Sequence, residues 1–285
     1  MKKLTYNEFK IMVSCESNKN ISNIDFSIAE KLQKENLLDK NYKVTKKGYE
    51  VLEQYKVKNA ILIAAGKGSR MYPLTETCPK PLVKVHGISM IETCINALLK
   101  VGIEDITIVR GYLGDKFDIL KDKYPSIKFI DNKYYNEYNN ISSIYLSREL
   151  IGNTYILESD LVLKNPNLIT KYQYTSNYVG IPMESSDDWC LKYENERISG
   201  YVIGDKNPCI QMVGISYFTE EDGKKLRKDV VDAYKDLEKR KLWWDLIPLD
   251  WYNKNYNLKV RFFKKEDVLE LDSYEELKQE DSSYK

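Results

Sequence analysis

From Ile61 to Leu82 the chain reads ILIAAGKGSRMYPLTETCPKPL, and three kinds of residue in it suit phosphate chemistry. Gly66 and Gly68 close an apolar run, so backbone N–H groups can come close to phosphate oxygens. Arg70 offers a planar fork for the same oxygens. Pro79 and Pro81 restrict the backbone on both sides of Lys80, which aims a single ammonium. Further along, Glu158 and Asp160 stand in ILESDLVL, and Asp272 in VLELDSYEEL. Carboxylates joined by phosphates and water are what Mg2+ takes. The loop is neither GxxxxGK[ST] nor GxGxxG, the two common phosphate loops. His86 is the only histidine, in VKVHGISMIE, where a strand turns into a helix. It reads as a turn residue, which leaves no histidine for a triad or a metal site.

The longer string AAGxGSRxxPLTxxxPKPL resembles the sugar-1-phosphate nucleotidyltransferase superfamily, which joins nucleoside triphosphates to phosphate-bearing metabolites; the likeness covers about residues 58–275. It implies a Rossmann-like α/β fold, a mixed and mostly parallel sheet flanked by helices. It also implies that Ala64, Ala65, Gly66, Gly68, Ser69 and Arg70 hold the triphosphate. Lys80 would meet the charge at the α-phosphate and Arg70 would steady the departing pyrophosphate. Asp160 and Asp272 match the family's Mg2+ ligands, with Glu158 in support. Asp272 also reads as the N-cap of a terminal helix, with Glu275 three residues on, and both roles can coexist.

The run YNEYNNISSIYLS is similar to that of bacterial CTP:phosphocholine cytidylyltransferases. Asn139 or Asn140 can cap its helix. The resemblance puts Asn140, Ser142, Ser143 and Tyr112, beside Gly111, near the base or ribose; the serines are equally ordinary helix-start residues. All four tryptophans fall in SSDDWCLKY and KLWWDLIPLDW. Trp beside acid suits a quaternary ammonium, each contact being worth roughly 0.5–2 kcal/mol. Trp189 and Trp243 match the choline branch best, with Trp244 and Asp245 beside them; core or dimer-interface packing is the other reading and suits Trp251 better. The resemblance implies transfer of the cytidylyl group of CTP to phosphocholine, giving CDP-choline and pyrophosphate. An acceptor such as 2-aminoethylphosphonate or phosphoethanolamine is the alternative, since a primary ammonium wants carboxylates rather than ring faces. A transcription regulator that senses CTP or CDP-choline belongs to a different class, and intact Lys80, Asp160 and Asp272 argue against it.

These residues need elements to hold them. From Lys58 onward, apolar strands (NAILIAAG, DITIVRGY, IKFIDN, TYILESDLVL) alternate with helices (SMIETCINALLKVG, GDKFDILKDKY, NNISSIYLSREL), which predicts a parallel sheet with right-handed crossovers. YVGIPME, RISGYVIG, CIQMVGISYF and LKVRFF add strands, some antiparallel, and EEDGKKLRKDVVDAYKDLEKRKL a helix with one solvated face. Residues 1–57 form a separate domain, helix–helix–strand–helix, resembling a small winged helix-turn-helix; residues 58–285 form the transferase domain. The first segment holds 11 lysines, 8 acids and no arginine. DNA readers usually aim Arg, Asn or Gln at base edges, so a docking or homodimerisation module competes with DNA binding there. The whole chain of 285 residues has a net charge of +1, which gives no reason to expect a polyanionic partner. The apolar runs are too short for a membrane helix, and the start lacks a signal-peptide core. Five scattered cysteines, an odd number with no CxxC, predict reduced thiols in a cytoplasmic protein.

Overall fold

Strand β1 (Asn59–Ala64) is apolar along its whole length and buried at five of its six positions, the mark of a strand covered on both faces. It forms the centre of the sheet in a computed structural model that describes residues 2–17 and 25–285. The other strands are β2 (Lys84–Val85), β3 (Ile88–Ser89), β4 (Ile106–Arg110), β5 (Lys128–Asp131), β6 (Thr154–Glu158), β7 (Leu161–Leu163), β8 (Asn177–Met183), β9 (Ser186–Glu194), β10 (Arg197–Asp205), β11 (Cys209–Phe218), β12 (Lys259–Phe262) and β13 (Val268–Glu270). The helices are α1 (Tyr6–Glu16), α2 (Phe26–Lys34), α3 (Lys46–Leu52), α4 (Met90–Lys100), α5 (Ile119–Lys123), α6 (Ile141–Ser147), α7 (Glu220–Ala233) and α8 (Tyr274–Glu280).

The nine-stranded sheet runs β10-β9-β11-β6-β1-β4-β5, with β8 on the other edge of β11 and β12 beside β8. β6, β1, β4 and β5 are parallel. β11 enters antiparallel, and one of its edges serves two partners. Residues 215–218 pair with β6, whereas Ile210 and Gln211 pair with β9. The changeover lies at Gly214, opposite the end of β6, so a crevice opens beyond the C-terminal ends of the parallel strands. In open α/β sheets this is where ligands bind. The main core packs Ile61, Ile156, Tyr178 and Phe218 of the sheet against Ile144 of α6 and Leu226 and Val230 of α7.

Three departures from the sequence-based expectations have local causes. TYILESDLVL is two strands, because the chain leaves the main sheet after Glu158 and β7 pairs with β13 instead. SDDWCLKYE is a strand, β9, whose acid-rich start hides its alternation. The lysine-rich helix stops at Ala233. His86 sits at φ +51° in the tight turn between β2 and β3, 61% exposed, as a turn residue.

The described residues divide into two compact units: Met1–Val57 with Tyr172–Tyr174, and Lys58–Lys171 with Thr175–Lys285. Met1 and residues 18–24 of the N-terminal segment lie outside the described residues. In the smaller unit Thr5, Asp25 and Thr45 cap α1, α2 and α3. Phe9, Met12, Leu32, Leu38 and Leu52 form its core, joined by Tyr172. The expected short strand is reduced to a single bridge, Leu38 to Val44, and Lys46 and Lys47 already belong to α3.

Candidate active site

The glycine loop is built by strain relief and bracing. Gly68 takes φ +60°, and a Cβ there would lie 2.6 Å from Lys80 Cβ, so only glycine lets the loop rest on the lysine segment. A Cβ at Gly66 would meet nothing within 4 Å, which leaves that side of the loop bare. Tyr112 braces the loop from behind: its amide donates to the Ala65 carbonyl at 3.1 Å and its hydroxyl to the Thr75 carbonyl at 2.8 Å. Ala65 is buried, while Ala64, Gly66, Gly68, Ser69 and Arg70 line a cleft of about 310 Å³. Asn139, Asn140, Glu158, Asp160 and Asp272 line its other walls.

A small apolar cluster explains how residues 200 positions apart meet. Met71 after the loop, Val83 after Lys80, Met90 of α4, and Leu271 and Leu277 around Asp272 pack together. The β7–β13 ladder adds the rest: Leu161 is opposite Glu270, which sets Asp160 beside Glu270 and Asp272.

Lys80 Nζ donates to Asp160 Oδ2 at 2.8 Å and to Asp272 Oδ1 at 2.9 Å, and its side chain is 8% exposed. Burial works against its charge, but the two carboxylates outweigh burial and hold the ammonium above its ordinary pKa. Arg70 donates to the same Asp272 oxygen at 2.9 Å from the open side of the cleft. Asp160, Glu270 and Asp272 each bring one carboxylate oxygen within 4.8 Å of the others. Asp160 Oδ1 is buried without a hydrogen-bond partner. Three hard oxygen donors and an orphaned carboxylate oxygen fit a hard divalent cation. Glu270 was missed by sequence reasoning; its signal is the i, i+2 spacing to Asp272, which puts both on one face of an extended chain. One side of Glu270 meets solvent. Even so, the protein packed around it and the charges of Asp160 and Asp272 raise its carboxyl.

Glu158, half-open to the cleft, accepts from Asn140 Nδ2 at 3.0 Å. Burial, then the charges of Asp160, Asp245 and Glu270, push its carboxyl well above the usual range. The Asn140 carbonyl accepts the Trp244 amide at 2.9 Å, so one side chain ties Glu158 to the tryptophan segment. Trp189, Tyr201 and Trp243 cluster: Trp189 stacks on Tyr201 at 4.6 Å and 14°, and Trp243 meets Trp189 edge-on at 5.6 Å. Trp243 is 43% exposed.

Several expected site residues are placed elsewhere. Trp244 is 2% exposed and stacks with Tyr178, and Asp245 accepts the Tyr178 hydroxyl at 3.1 Å; both belong to the core, not to an open cage wall. Ser142 and Ser143 are buried, and both hydroxyls accept from Asn132 Nδ2, so neither is free to meet a base. The Tyr112 hydroxyl is spent on the loop. The N-cap of α8 is Ser273, in a capping box with Glu276, which leaves Asp272 one residue outside the helix.

Residues 59–179 match the nucleotidyl transferase family. The chain is 37% identical over 229 residues to a 2-aminoethylphosphonate cytidylyltransferase of Lancefieldella rimae, covering 79% of this chain and 93% of the relative. It is 33% identical to a choline-phosphate cytidylyltransferase of Streptococcus pneumoniae over 76% of this chain and 94% of the relative. Its fold superposes on the CTP:phosphocholine cytidylyltransferase LicC of Streptococcus pneumoniae with a TM-score of 0.74 and 31% identity, over 81% of this chain and all of that one. A glycine loop resting on its lysine, in a fold and sequence shared with these cytidylyltransferases, places the chain in the nucleotidyl transferase family, as one of its enzymes.

Proposed function

We propose that the enzyme transfers the cytidylyl group of CTP to a small phosphonate or phosphate bearing an amine, with 2-aminoethylphosphonate as the acceptor. The observation that carries the transfer chemistry is Lys80, nearly buried under the glycine loop between Asp160 and Asp272. The acceptor's phosphonate is already ionised at neutral pH, so no general base is needed. One of its oxygens attacks the α-phosphorus of CTP, the bond to the pyrophosphate oxygen breaks on the opposite side, and pyrophosphate leaves. The loop from Gly66 to Arg70 positions the triphosphate with backbone N–H groups. Lys80 offsets the charge that builds on the α-phosphate, and Arg70 holds the leaving pyrophosphate. Asp160, Glu270 and Asp272 would hold Mg2+, which when bound supplies further positive charge among the phosphates.

Three observations favour the primary amine. A relative 37% identical over 79% of this chain is a 2-aminoethylphosphonate cytidylyltransferase. The stacking of Tyr201 on Trp189 also fills one ring face, whereas a quaternary ammonium needs open faces around a hollow. Burial and neighbouring acids raise the Glu158 carboxyl, and an ammonium beside it would favour its charged form. Phosphocholine is the second reading, supported by the exposed Trp243 beside Trp189.

Pyrophosphate release with CTP, Mg2+ and each acceptor tests the proposal. Aminoethylphosphonate is expected to exceed phosphocholine in kcat/KM by about tenfold or more. The reverse order would transfer the choice to phosphocholine. Lys80→Ala is expected to lose about 100-fold or more in kcat with either acceptor; turnover equal to the parent would sink the mechanism.

A further inference from the structure

Cys190 in β9 and Cys209 at the start of β11 bring their Sγ atoms to 3.1 Å. They come from neighbouring antiparallel strands whose ladder is only two residue pairs long, Ile210–Leu191 and Gln211–Cys190. Beyond that short ladder, β9 and β10 form a hairpin arm that carries Asp188, Trp189 and Tyr201. Cys190 is buried and Cys209 is partly exposed. A disulfide has its sulfurs about 2.05 Å apart, so closure here takes a movement of only about 1 Å.

We propose that Cys190 and Cys209 are a covalent modification site, at which a low-molecular-weight disulfide oxidises the two thiols to an intramolecular disulfide that clamps the β9–β10 arm to β11. This goes beyond the transfer reaction and does not depend on the choice of acceptor. Cys209, the accessible thiol, attacks one sulfur of the small disulfide as its thiolate; a mixed disulfide forms and one small thiolate leaves. Cys190 then gives up its proton and attacks Cys209 Sγ, which expels the second small thiolate. The two protons lost by the protein pass to the two small thiolates. The sum is two protein thiols oxidised and one small disulfide reduced to two thiols. Burial, followed by the contact with Cys209, pushes the Cys190 thiol up, which leaves the accessible Cys209 as the thiol that attacks first.

The test treats the whole protein with glutathione disulfide and counts titratable thiols after unfolding, with peptide mass mapping. Of the five cysteines, two are expected to be lost together, with Cys190 and Cys209 in one cross-linked peptide pair that dithiothreitol separates. Cys209→Ser is expected to give no cross-link. Backbone amides of residues 186–205 are expected to exchange more slowly in the oxidised protein. Retention of all five thiols, glutathione left attached to Cys209, a cross-link in Cys209→Ser, or a disulfide between two molecules would each overturn the site. Unchanged exchange across the arm would overturn the clamp.

Discussion

Asp245 shows what burial does to a single acid. It lies in the core against Tyr178, and burial raises its carboxyl to about 7, with the Tyr178 hydroxyl opposing only in part. A group raised in the folded state works against stability once it can ionise. Below about pH 4 it is neutral in both states and costs nothing. As pH rises from 4 to 7 the unfolded chain ionises first, and stability falls by at most about 4 kcal/mol. Asp245→Asn should therefore gain stability relative to the parent as pH rises from 5 to 8, measured by urea unfolding; a pH-independent difference would contradict this. The same residue marks a limit of sequence reasoning. Trp244 and Asp245 have the composition of a cation site, and only the packing of Tyr178 shows that they point into the core. Lys80, Asp160 and Asp272 were legible because flanking prolines and strand ends fix where a side chain goes. Ser142 and Ser143 were not, because helix rotation decides whether they face Asn132 or the cleft.

Among the elements, β11 carries the site's architecture. At Gly214 it passes from β6 to β9, and a Cβ there would lie 2.6 Å from Glu158 Cγ and 2.8 Å from Glu158 Cβ. Gly214→Ala is expected to cost about 1–3 kcal/mol of stability by overpacking and to raise KM for the acceptor more than for CTP. Denaturant unfolding and initial rates check both, and unchanged stability would show that β11 has slack at this point. The parallel strands were legible from their apolar runs. β9 was not, since its first three residues, Ser186 to Asp188, read as loop, and its place is set by pairing along its length with β10. The break between β6 and β7 was also hidden, because ILESDLVL is apolar on both sides of the residues where the chain changes sheets.

At the scale of the molecule, the smaller unit includes three residues, Tyr172–Tyr174, that lie far along the chain from its other members. Tyr174 stacks on Tyr55 at 5.7 Å and its hydroxyl donates to the Leu4 carbonyl at 2.9 Å. A chain starting at Lys58 would strip these tyrosines of their partners while keeping every cleft residue. It is expected to melt at a lower Tm yet keep kcat/KM within about threefold, or ~0.7 kcal/mol of barrier. A loss of turnover greater than that would assign residues 1–57 a part in the reaction. The separate helical segment was legible from its charge and periodicity. The inclusion of Tyr172–Tyr174 was not, as nothing local marks them.

The Lys80 ammonium between Asp160 and Asp272 makes the free enzyme its own counterion. A divalent cation held by these carboxylates would, arriving alone, have to compete with that tethered charge, which would keep affinity for the bare ion low. Triphosphate would shift that competition by giving the lysine a new partner, which would favour arrival of nucleotide and ion together. Calorimetric titration with Mg2+ in the absence of CTP should accordingly show tighter binding to Lys80→Met than to the parent, and equal binding would refute the idea of an internal placeholder.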